Sequence, residues 1–546
     1  MALDHHQRSK IDGKVLGLLL LVLFSAPFVS ASESSSTSAD FLQPECLKVA
    51  KSEFASSIGD VVDIIRQVSS TLSQFATFFG DFRLSNAVSD CLDLLDSTSE
   101  DLSWTVSATQ NPNGKHNSTG NLSSDLRTWL SAALINQDTC SDGFEGTNSI
   151  VKGLVTGGLN QITSLVQNLL TQVDPSSVVY KSKSKNQFPA WVKPKDRKVL
   201  EANGVSADVV VAQDGTGNFT KVMDAVMAAP EYSMRRFVIY IKRGIYHENV
   251  EIKKKRWNLM MVGDGMDATI ISGNRSFIDG WTTFRSATFV TETSGKIGHS
   301  DCAANIFMIA VSGRGFIARD LTIENTAGPE KHQAVALRSD SDLSVFFRCR
   351  FRGYQDTLYT HTMRQFFREC QISGTVDFIF GDATAVFQNC QIRARNGLPN
   401  QKNTVTAQGR KDPNEPTGFS FQFCNFSAES DFRSAAGANS SSSAATYLGR
   451  PWKLYSRTVV LQSYISDAVR PEGWLEWNGN FALDSLLYGE FMNYGPGSGL
   501  GRRVKWPGYH AFNQSSQINN YTVAQFIEGN LWLPSTGVRY TAGLGV

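Results

Sequence analysis

The stretch from Phe346 to Asp382, FFRCRFRGYQDTLYTHTMRQFFRECQISGTVDFIFGD, contains a short repeated pattern. The pattern is an aromatic residue, two variable residues, a cysteine, one variable residue and then Phe or Ile. Its cysteines here and further along the chain are Cys349, Cys370, Cys390 and Cys424. The first two steps are 21 and 20 residues, and repeats of this length are typical of solenoids. Because apolar and polar residues alternate within each copy, the pattern favours strands and predicts a parallel β-helix.

Two aspartates occupy the same place in successive copies of this repeat. Asp356 lies seven residues after Cys349, and Asp377 lies seven residues after Cys370. If the turns stack in register, the two carboxyl groups lie on adjacent strands, about 4.8 Å apart. Because like charges this close do not both ionise freely, we expect one pKa to be raised, which suits acid–base or nucleophilic catalysis. The alternative is that both are solvated turn residues, since Asp is common in turns.

Five short motifs, in this order along about 200 residues, resemble those of plant pectin methylesterases. They are G-x-Y-x-E at 244–248, QAVAL at 333–337, YQDTL at 354–358, DFIFG at 377–381 and LGRPW at 448–452. The resemblance implies that residues 207–546 form a catalytic domain with a right-handed parallel β-helix fold. It further implies a carboxylic ester hydrolase that converts the methyl esters of cell-wall homogalacturonan to pectate and methanol. The implied route is an aspartyl acyl-enzyme, without a cofactor or a metal.

The same resemblance implies the residues of the active site. Asp377 is expected to attack the ester carbonyl, Arg450 to hold it ionised, and Asp356 to protonate the leaving methanol. The expected donors to the oxyanion are Gln333 and Gln355. The expected substrate-binding residues are Thr283, Gln333, Arg450 and Trp452. Taken singly, these residues have structural alternatives, such as a core position for Trp452 or a surface salt bridge for Arg450.

Residues 40–175 carry a different periodicity, with apolar residues at steps of three and four. Four such stretches predict amphipathic helices packed as an all-α, up-and-down four-helix bundle. The segment WLSAALINQDTC at 129–140 resembles the plant invertase and pectin methylesterase inhibitor domain. This resemblance implies an inhibitor-like helical pro-region over residues 32–175 and a disulfide between Cys91 and Cys140. Inhibitors of this type usually carry a second cysteine pair, but only Cys46 is left over here.

The first residues are typical of a secretory signal peptide. Three basic residues precede an apolar run at 15–24, and small residues at 29 and 31 suit cleavage after residue 31. An uncleaved signal anchor is the alternative, although the run is short for a membrane span. We therefore expect a signal peptide at 1–31, secretion to the plant cell wall and no stable membrane anchor after its removal. Eight Asn-x-Ser/Thr sequons are compatible with glycosylation.

A polar, basic segment at 176–206 is typical of a linker. Its RKVL at 197–200 resembles the dibasic processing site that precedes the mature enzyme in this family, with a plain solvated linker as the alternative. Residues 40–180 hold 16 acidic and 7 basic side chains, a net charge of −9 in a chain of net charge +1. The acidic and basic parts are therefore expected to attract each other, and the basic part suits a polyanion. Because the chain lacks RNP-type, KH-type and zinc motifs, pectin is favoured over nucleic acid.

Further expectations concern local features and partners. A helix at 220–229 is expected to cap the open end of the solenoid.

Cys370 and Cys390 are predicted to form a disulfide across neighbouring turns, with a ladder of free buried thiols as the alternative. The segment around 290–309 has no counterpart in the family and is either a surface loop or translated intron. The expected partners are pectin and, for inhibition, the chain's own pro-region or a separate inhibitor protein; a monomer is expected.

Two other functions stay open at this point. A β-helical pectate lyase or polygalacturonase would also use clustered acids on pectin, but the sequence contains neither a Gly-His-Gly motif nor a calcium-type acidic cluster. The second alternative is a non-catalytic wall-binding protein, which would keep the substrate groove but lack activity. The presence of Asp356, Asp377 and Arg450 together argues against that possibility.

Overall fold

The structure of the protein is a computed structural model. It describes residues 46–75, 80–111, 119–147, 150–175, 206–291, 314–430 and 445–545. The signal peptide predicted at 1–31, the processing site at 197–198 and most of the segment around 290–309 lie outside the described residues.

The described residues before 176 form four helices, as the apolar periodicity predicts. They are α1 (Lys51–Phe75), α2 (Phe82–Gln110), α3 (Leu122–Gly143) and α4 (Ile150–Gln172). Their apolar stripes meet in one core, in which Phe54, Trp129 and Leu169 are buried. The disulfide expected between Cys91 and Cys140 is confirmed and joins α2 to α3. No helix in the described part of the chain is long and apolar enough to cross a membrane.

The second part confirms the right-handed parallel β-helix, whose strands pair in parallel within three sheets. Sheet 1 contains β1 (Val209–Val211), β2 (Phe237–Ile241), β5 (Leu259–Gly263), β8 (Ile317–Arg319), β11 (Ser344–Phe347), β14 (Arg364–Arg368), β17 (Thr384–Gln388), β20 (Gly418–Gln422), β23 (Arg457–Leu461), β25 (Leu487–Phe491) and β26 (Tyr509–Ala511). Sheet 2 contains β4 (Val250–Ile252), β7 (Phe289–Thr291), β10 (Leu337–Ser339), β13 (Leu358–Thr360), β16 (Ile379–Gly381), β19 (Asn403–Gln408) and β22 (Thr446–Gly449). Sheet 3 contains β3 (Gly244–His247), β6 (Thr269–Gly273), β9 (Thr322–Asn325), β12 (Arg350–Arg352), β15 (Gln371–Gly374), β18 (Gln391–Ala394), β21 (Asn425–Ala428) and β24 (Tyr464–Ile465).

The aromatic position of the sequence repeat forms a continuous stack inside the β-helix. Its members are Phe346, Phe367, Phe387 and Phe421, whose successive ring centroids are 4.8, 4.6 and 4.5 Å apart. This spacing is close to the distance between neighbouring strands. The rings therefore lie in register with the backbone ladder, and their contact stabilises that register.

The predicted disulfide between Cys370 and Cys390 is wrong. Both cysteines are free, as are Cys349 and Cys424, and all four lie buried in the core. The thiol of Cys370 donates to the carbonyl oxygen of Phe346 at 3.2 Å instead. The reason is the register itself, because equivalent Cβ atoms on neighbouring turns are separated by about the strand spacing of 4.8 Å. A disulfide needs its Cβ atoms about 3.8 Å apart.

A short helix, α5 (Val222–Ala228), packs against β1 near the 220–229 expected for the cap. The carboxylate of Glu248 accepts the N–H groups of Val222 and Met223 at 2.9 and 3.0 Å. A carboxylate at the N-terminus of a helix accepts hydrogen bonds from N–H groups that have no partner inside the helix. The G-x-Y-x-E motif that contains Glu248 is therefore structural here.

The C-terminal segment covers the outer face of sheet 1. It contains the helices α6 (Ser515–Ile518), α7 (Val523–Phe526) and α8 (Gly529–Trp532). Trp532 packs there against outward-facing residues of sheet 1 such as Phe366. The 3₁₀ turns of the described residues are Pro329–Lys331, Leu500–Arg502, Asn519–Tyr521 and Leu533–Thr536.

The free thiols can be tested by alkylation. If the protein is unfolded without a reductant and treated with iodoacetamide, peptide mapping should find Cys349, Cys370, Cys390 and Cys424 alkylated. Cys91 and Cys140 should react only after reduction, which provides the internal control. A resistant pair among the four core cysteines would contradict the free-thiol ladder.

Candidate active site

Two aspartates precede adjacent strands of sheet 2. Asp356 lies two residues before β13, Asp377 lies two residues before β16, and Leu358 pairs with Ile379 in the ladder between these strands. The aspartates therefore occupy equivalent positions on neighbouring turns, as their offset predicts. Both have a left-handed backbone, with φ of 62° and 50°, a region that Asp tolerates better than most residues. Both line one cleft.

Asp377 is held by an arginine and a threonine. Arg450, which follows β22, donates from Nε to Oδ1 at 2.8 Å and from Nη2 to Oδ2 at 2.6 Å. The hydroxyl of Thr404 donates to Oδ1 at 2.6 Å and accepts the N–H of Asp377 at 2.8 Å. Bonds of this kind hold a carboxylate in one orientation.

Asp356 lies in a different environment. Its exposed fraction is 8%, and no side-chain bond from an arginine reaches it among the described residues. Burial, followed by the charge of Asp377, raises the pKa of Asp356 well above its ordinary value, although the charge of Arg450 opposes this. The expectation that one of the two carboxyl groups has a raised pKa is confirmed, and that group is Asp356.

The other residues expected from the sequence lie around the same cleft, which has a volume of about 320 Å³. They are Thr283, Gln333, Gln355, Arg450 and Trp452. The Oε1 atom of Gln333 is buried without a hydrogen-bond partner in the described structure. A buried polar atom without a partner is rare in native proteins, and this one belongs to a side chain of the cleft wall.

Several lining residues were not found by sequence analysis. Trp477 carries the guanidinium of Arg450 over its ring, 4.4 Å from the centroid, and the rings of Tyr359 and Phe380 stack 4.1 Å apart along the cleft. Thr404 was missed because it lies 27 residues after Asp377, further than the 20–21-residue steps of the repeat. Phe380 lies within the DFIFG motif, so its position could have been inferred from strand alternation.

The end of α3 reaches into the cleft. Thr139, Asp142 and Gly143 line it together with the two catalytic candidates, as does Glu145 just beyond the helix. The hydroxyl of Thr139 lies 2.9 Å from Nε2 of His361. Around this contact, Phe284, Tyr359 and Phe380 belong to the same apolar cluster as the core of the helical bundle. The bundle is therefore continuous with the wall of the cleft.

Acidic residues of the bundle meet basic residues of the β-helix, as the opposite charges predict. Asp90 pairs with Arg285, and Asp125 lies 2.7 Å from the guanidinium of Arg364. Both carboxyl groups are fully buried at the contact. Burial raises the pKa of Asp90 to about 6, although the charge of Arg285 opposes it. Such desolvated pairs add specificity to the contact more than net stability.

Comparison with known proteins decides the family. A family model described as Pectinesterase matches residues 208–307 and 300–530, and a model described as plant invertase/pectin methylesterase inhibitor matches residues 28–171. The chain belongs to the pectinesterase family. It is 70% identical to the pectinesterase/pectinesterase inhibitor PPE8B of Prunus persica, over 98% of this chain and 97% of that protein. It is 60% identical to the probable pectinesterase/pectinesterase inhibitor 32 of Arabidopsis thaliana, over 97% and 98% of the two chains.

A solved structure is similar to the β-helical part. The pectin methylesterase from carrot is 48% identical and superposes with a TM-score of 0.57, covering 63% of this chain and 100% of the carrot chain. The match therefore spans the whole carrot chain but only part of this chain. The present chain is a carboxylic ester hydrolase that demethylesterifies pectin, and the lyase, polygalacturonase and non-catalytic alternatives are not supported.

The interaction between the two carboxyl groups can be measured. In Asp377→Asn the neighbouring negative charge is lost, so the pKa of Asp356 should fall, yet remain above its ordinary value because burial, the larger cause, persists. Infrared difference spectroscopy would follow the protonated carboxyl band with pH, and Asp356→Asn would identify that band. Asp267→Asn, at a side chain that is 86% exposed, is the control that should change nothing. An unchanged pKa in Asp377→Asn would exclude the proposed coupling.

Proposed function

We propose that Asp377 is the nucleophile and Asp356 the general acid and base in this ester hydrolysis. The observation that supports the assignment is the contrast between two neighbouring carboxyl groups. Asp377 accepts two bonds from Arg450, which favours the carboxylate. Asp356 is buried with a raised pKa, which favours the protonated acid. One site thus holds an anion and a proton donor at the same pH.

The reaction proceeds in two half-reactions. A carboxylate oxygen of Asp377 attacks the ester carbonyl carbon, and Asp356 gives its proton to the methoxy oxygen as that bond breaks, so methanol leaves an acyl-enzyme anhydride. Asp356, now a carboxylate, then takes a proton from water while the water oxygen attacks the galacturonyl carbonyl. Cleavage of the bond to Asp377 releases the free acid and restores both side chains.

The remaining cleft residues bind the substrate and the charge that develops on it. The side-chain amides of Gln333 and Gln355 donate N–H groups to the oxyanion of the tetrahedral intermediate. Trp452 offers a flat apolar face to a sugar ring, as aromatic side chains do at mixed apolar and polar surfaces. Thr283 supplies a hydroxyl at the same wall.

Substitution of either acid tests these roles. Asp377→Asn and Asp356→Asn should each lower methanol release from methyl-esterified pectin by about 10²-fold or more, because nucleophile and general acid are lost respectively. Thermal unfolding should be similar to that of the wild type, and Asp267→Asn should retain full activity. Retention of more than about a tenth of the activity by either active-site variant would refute its assigned role.

The helical part acts as an intramolecular inhibitor that blocks the cleft. Support comes from Thr139 and Asp142, which line the cleft beside the catalytic candidates, and from the buried Asp125–Arg364 pair, which joins the first turn of α3 to the β-helix. A region that served only in folding or targeting would have no reason to enter the cleft. Tethering also raises its effective concentration to about the millimolar range.

Secretion and processing complete the proposal. Residues 1–31 direct secretion to the cell wall, and residues 32–175 form the pro-region. Cleavage in the linker at 176–206 releases the catalytic domain, residues 207–546, together with the part of the linker that follows the cut. The basic pair Arg197-Lys198 is the cleavage signal. The released enzyme acts as a glycosylated monomer on pectin.

The cleavage site can be tested in plant cells. The N-terminus of the wall-resident protein should fall close to Val199, and the double variant Arg197→Ala/Lys198→Ala should remain uncut, largely intracellular and poorly active. The matched control Lys193→Ala/Lys195→Ala changes two basic residues of the same linker and should be processed normally. If the Arg197/Lys198 variant reaches the wall uncut and fully active, both processing and autoinhibition are excluded.

A further inference from the structure

Two buried carboxyl groups of the β-helix contact each other. Asp382 directly follows β16, and Glu415 lies in the loop that joins β19 to β20. Their exposed fractions are 1% and 0%. The Oδ2 atom of Asp382 and the Oε1 atom of Glu415 have no partner among the donors of the described structure, although the two side chains lie within hydrogen-bonding distance of each other. Since a carboxylate can only accept hydrogen bonds, a bond between these two groups requires a proton.

The other oxygen of each carboxyl group is fully bonded. Oδ1 of Asp382 accepts the side-chain amide of Gln408 at 2.8 Å and the hydroxyl of Thr417 at 2.7 Å. Oε2 of Glu415 accepts the backbone N–H groups of residues 411 and 412, both at 2.9 Å. In the described structure, a single proton between Oδ2 and Oε1 therefore satisfies the last two oxygen atoms of the pair.

The surroundings favour retention of this proton. Burial raises the pKa of both carboxyl groups, and the charge of Asp382 adds to this at Glu415, whereas the charge of Arg410 opposes it at Asp382. The guanidinium groups nearby donate to backbone carbonyl oxygens instead of to the pair. Arg410 donates to the carbonyl oxygen of Glu415 at 3.0 Å, and Arg457 to that of Pro416 at 3.1 Å. The charged and titratable groups around the pair are Arg410, Arg457, Arg127, Lys453, Asp412 and Tyr521.

The acid pair lies close to the backbone that supports Trp452. Gly381 and Gln408 pair between β16 and β19, and the N–H of Gly409 donates to the carbonyl oxygen of Gly381 at 2.8 Å. The ring of Trp452 rests on Gly409, because a Cβ atom on this glycine would lie 2.9 Å from Cε3 of the ring. The bond from Gln408 to Asp382 therefore flanks the contact that supports the proposed flat face for a sugar ring.

The loop of the acid pair is also tied to the loop that follows Trp452. The N–H of Tyr455 donates to the carbonyl oxygen of Arg410 at 3.0 Å, and the guanidinium of Arg410 donates to the carbonyl oxygen of Tyr455 at 3.3 Å. If both carboxyl groups of the pair ionise, two buried charges repel each other at hydrogen-bonding distance. A shift of the loop that separates them would also displace the residues beneath and beyond Trp452.

We propose that Asp382 and Glu415 share one proton, and that this proton holds residues 409–417 in place beneath Trp452, so that substrate affinity depends on it. The inference rests on the proposed role of Trp452 in binding a sugar ring. The unfolded chain releases such a proton at the ordinary pKa of a carboxyl group, whereas the folded pair retains it to higher pH. The stabilisation is therefore present at acidic pH and is lost as the pH rises through the raised pKa of the pair.

Hydrogen exchange of the full chain tests the shared proton. Between about pH 6 and about pH 8, amide protection of residues 409–417 should fall about tenfold or more in the wild type relative to Glu415→Gln, because one pKa unit corresponds to tenfold in an equilibrium. Glutamine has the same shape as the acid, and its NH₂ group donates to Asp382 without a titratable proton. Asp382→Asn should have the same effect. The matched control is Glu472→Gln, at an exposed side chain, which should behave as the wild type.

Infrared difference spectroscopy of the full chain counts the protons. Glu415→Gln and Asp382→Asn should each lose the same protonated carboxyl band at about pH 6, where exposed carboxyl groups are ionised. Glu472→Gln should keep that band. If no band is lost in either variant, or if the wild type and Glu415→Gln show the same protection at both pH values, the shared proton is overturned. If Glu415→Gln does not fold, Asp382→Asn provides the comparison.

Kinetics of the protein isolated from the plant cell wall test the link to the substrate. Over the same pH range, the KM for methyl-esterified pectin should rise about threefold or more in the wild type relative to Glu415→Gln, while the kcat values of the two proteins change alike within about twofold. An equal change of KM in both proteins would overturn the dependence of affinity on this proton. Absence of methanol release by the wild type would overturn the proposed function instead, and the exchange and infrared measurements would still decide the shared proton.

Discussion

The in-register stacking of parallel turns is the constraint on which the rest of this structure depends. Each strand pairs with the equivalent strand of the next turn, so that residues about 20 apart in sequence become neighbours at the strand spacing. The Phe stack that runs through Phe367 reinforces this register from inside. The same register brings Asp356 beside Asp377, and it also keeps the core thiols too far apart to pair.

Register alone would produce two equivalent carboxyl groups, and their surroundings make them different. Arg450 and Thr404 come from later turns and, in the described part of the chain, their side chains bond Asp377 and not Asp356. Asp356 receives no such bond and is desolvated, so its pKa is raised. In the proposed mechanism, Asp377 is the nucleophile because Arg450 bonds it, and Asp356 is the acid because Arg450 does not. The repeat itself does not distinguish the two residues.

The contact between the helical part and the β-helix also depends on opposite charges. The β-helix presents basic residues at this contact, among them Lys411 and Lys453. The helical part presents acidic residues, including Asp138, to the same cations. Complementary charge contributes specificity and association rate to such contacts more than it contributes affinity.

The sequence by itself determined the features that are periodic or local. The 21-residue offset between Asp356 and Asp377 predicted their juxtaposition, the apolar steps of three and four predicted the four helices, and the motif order indicated the family. Only the tertiary structure decided the role of Thr404, the stacking of Trp477 on Arg450, the free state of Cys370 and Cys390, and the entry of α3 into the cleft. The physical reason is that a regular repeat converts sequence distance directly into spatial distance. Loops of irregular length and contacts between the helical part and the β-helix break that relation, so these neighbours are set by packing and not by spacing.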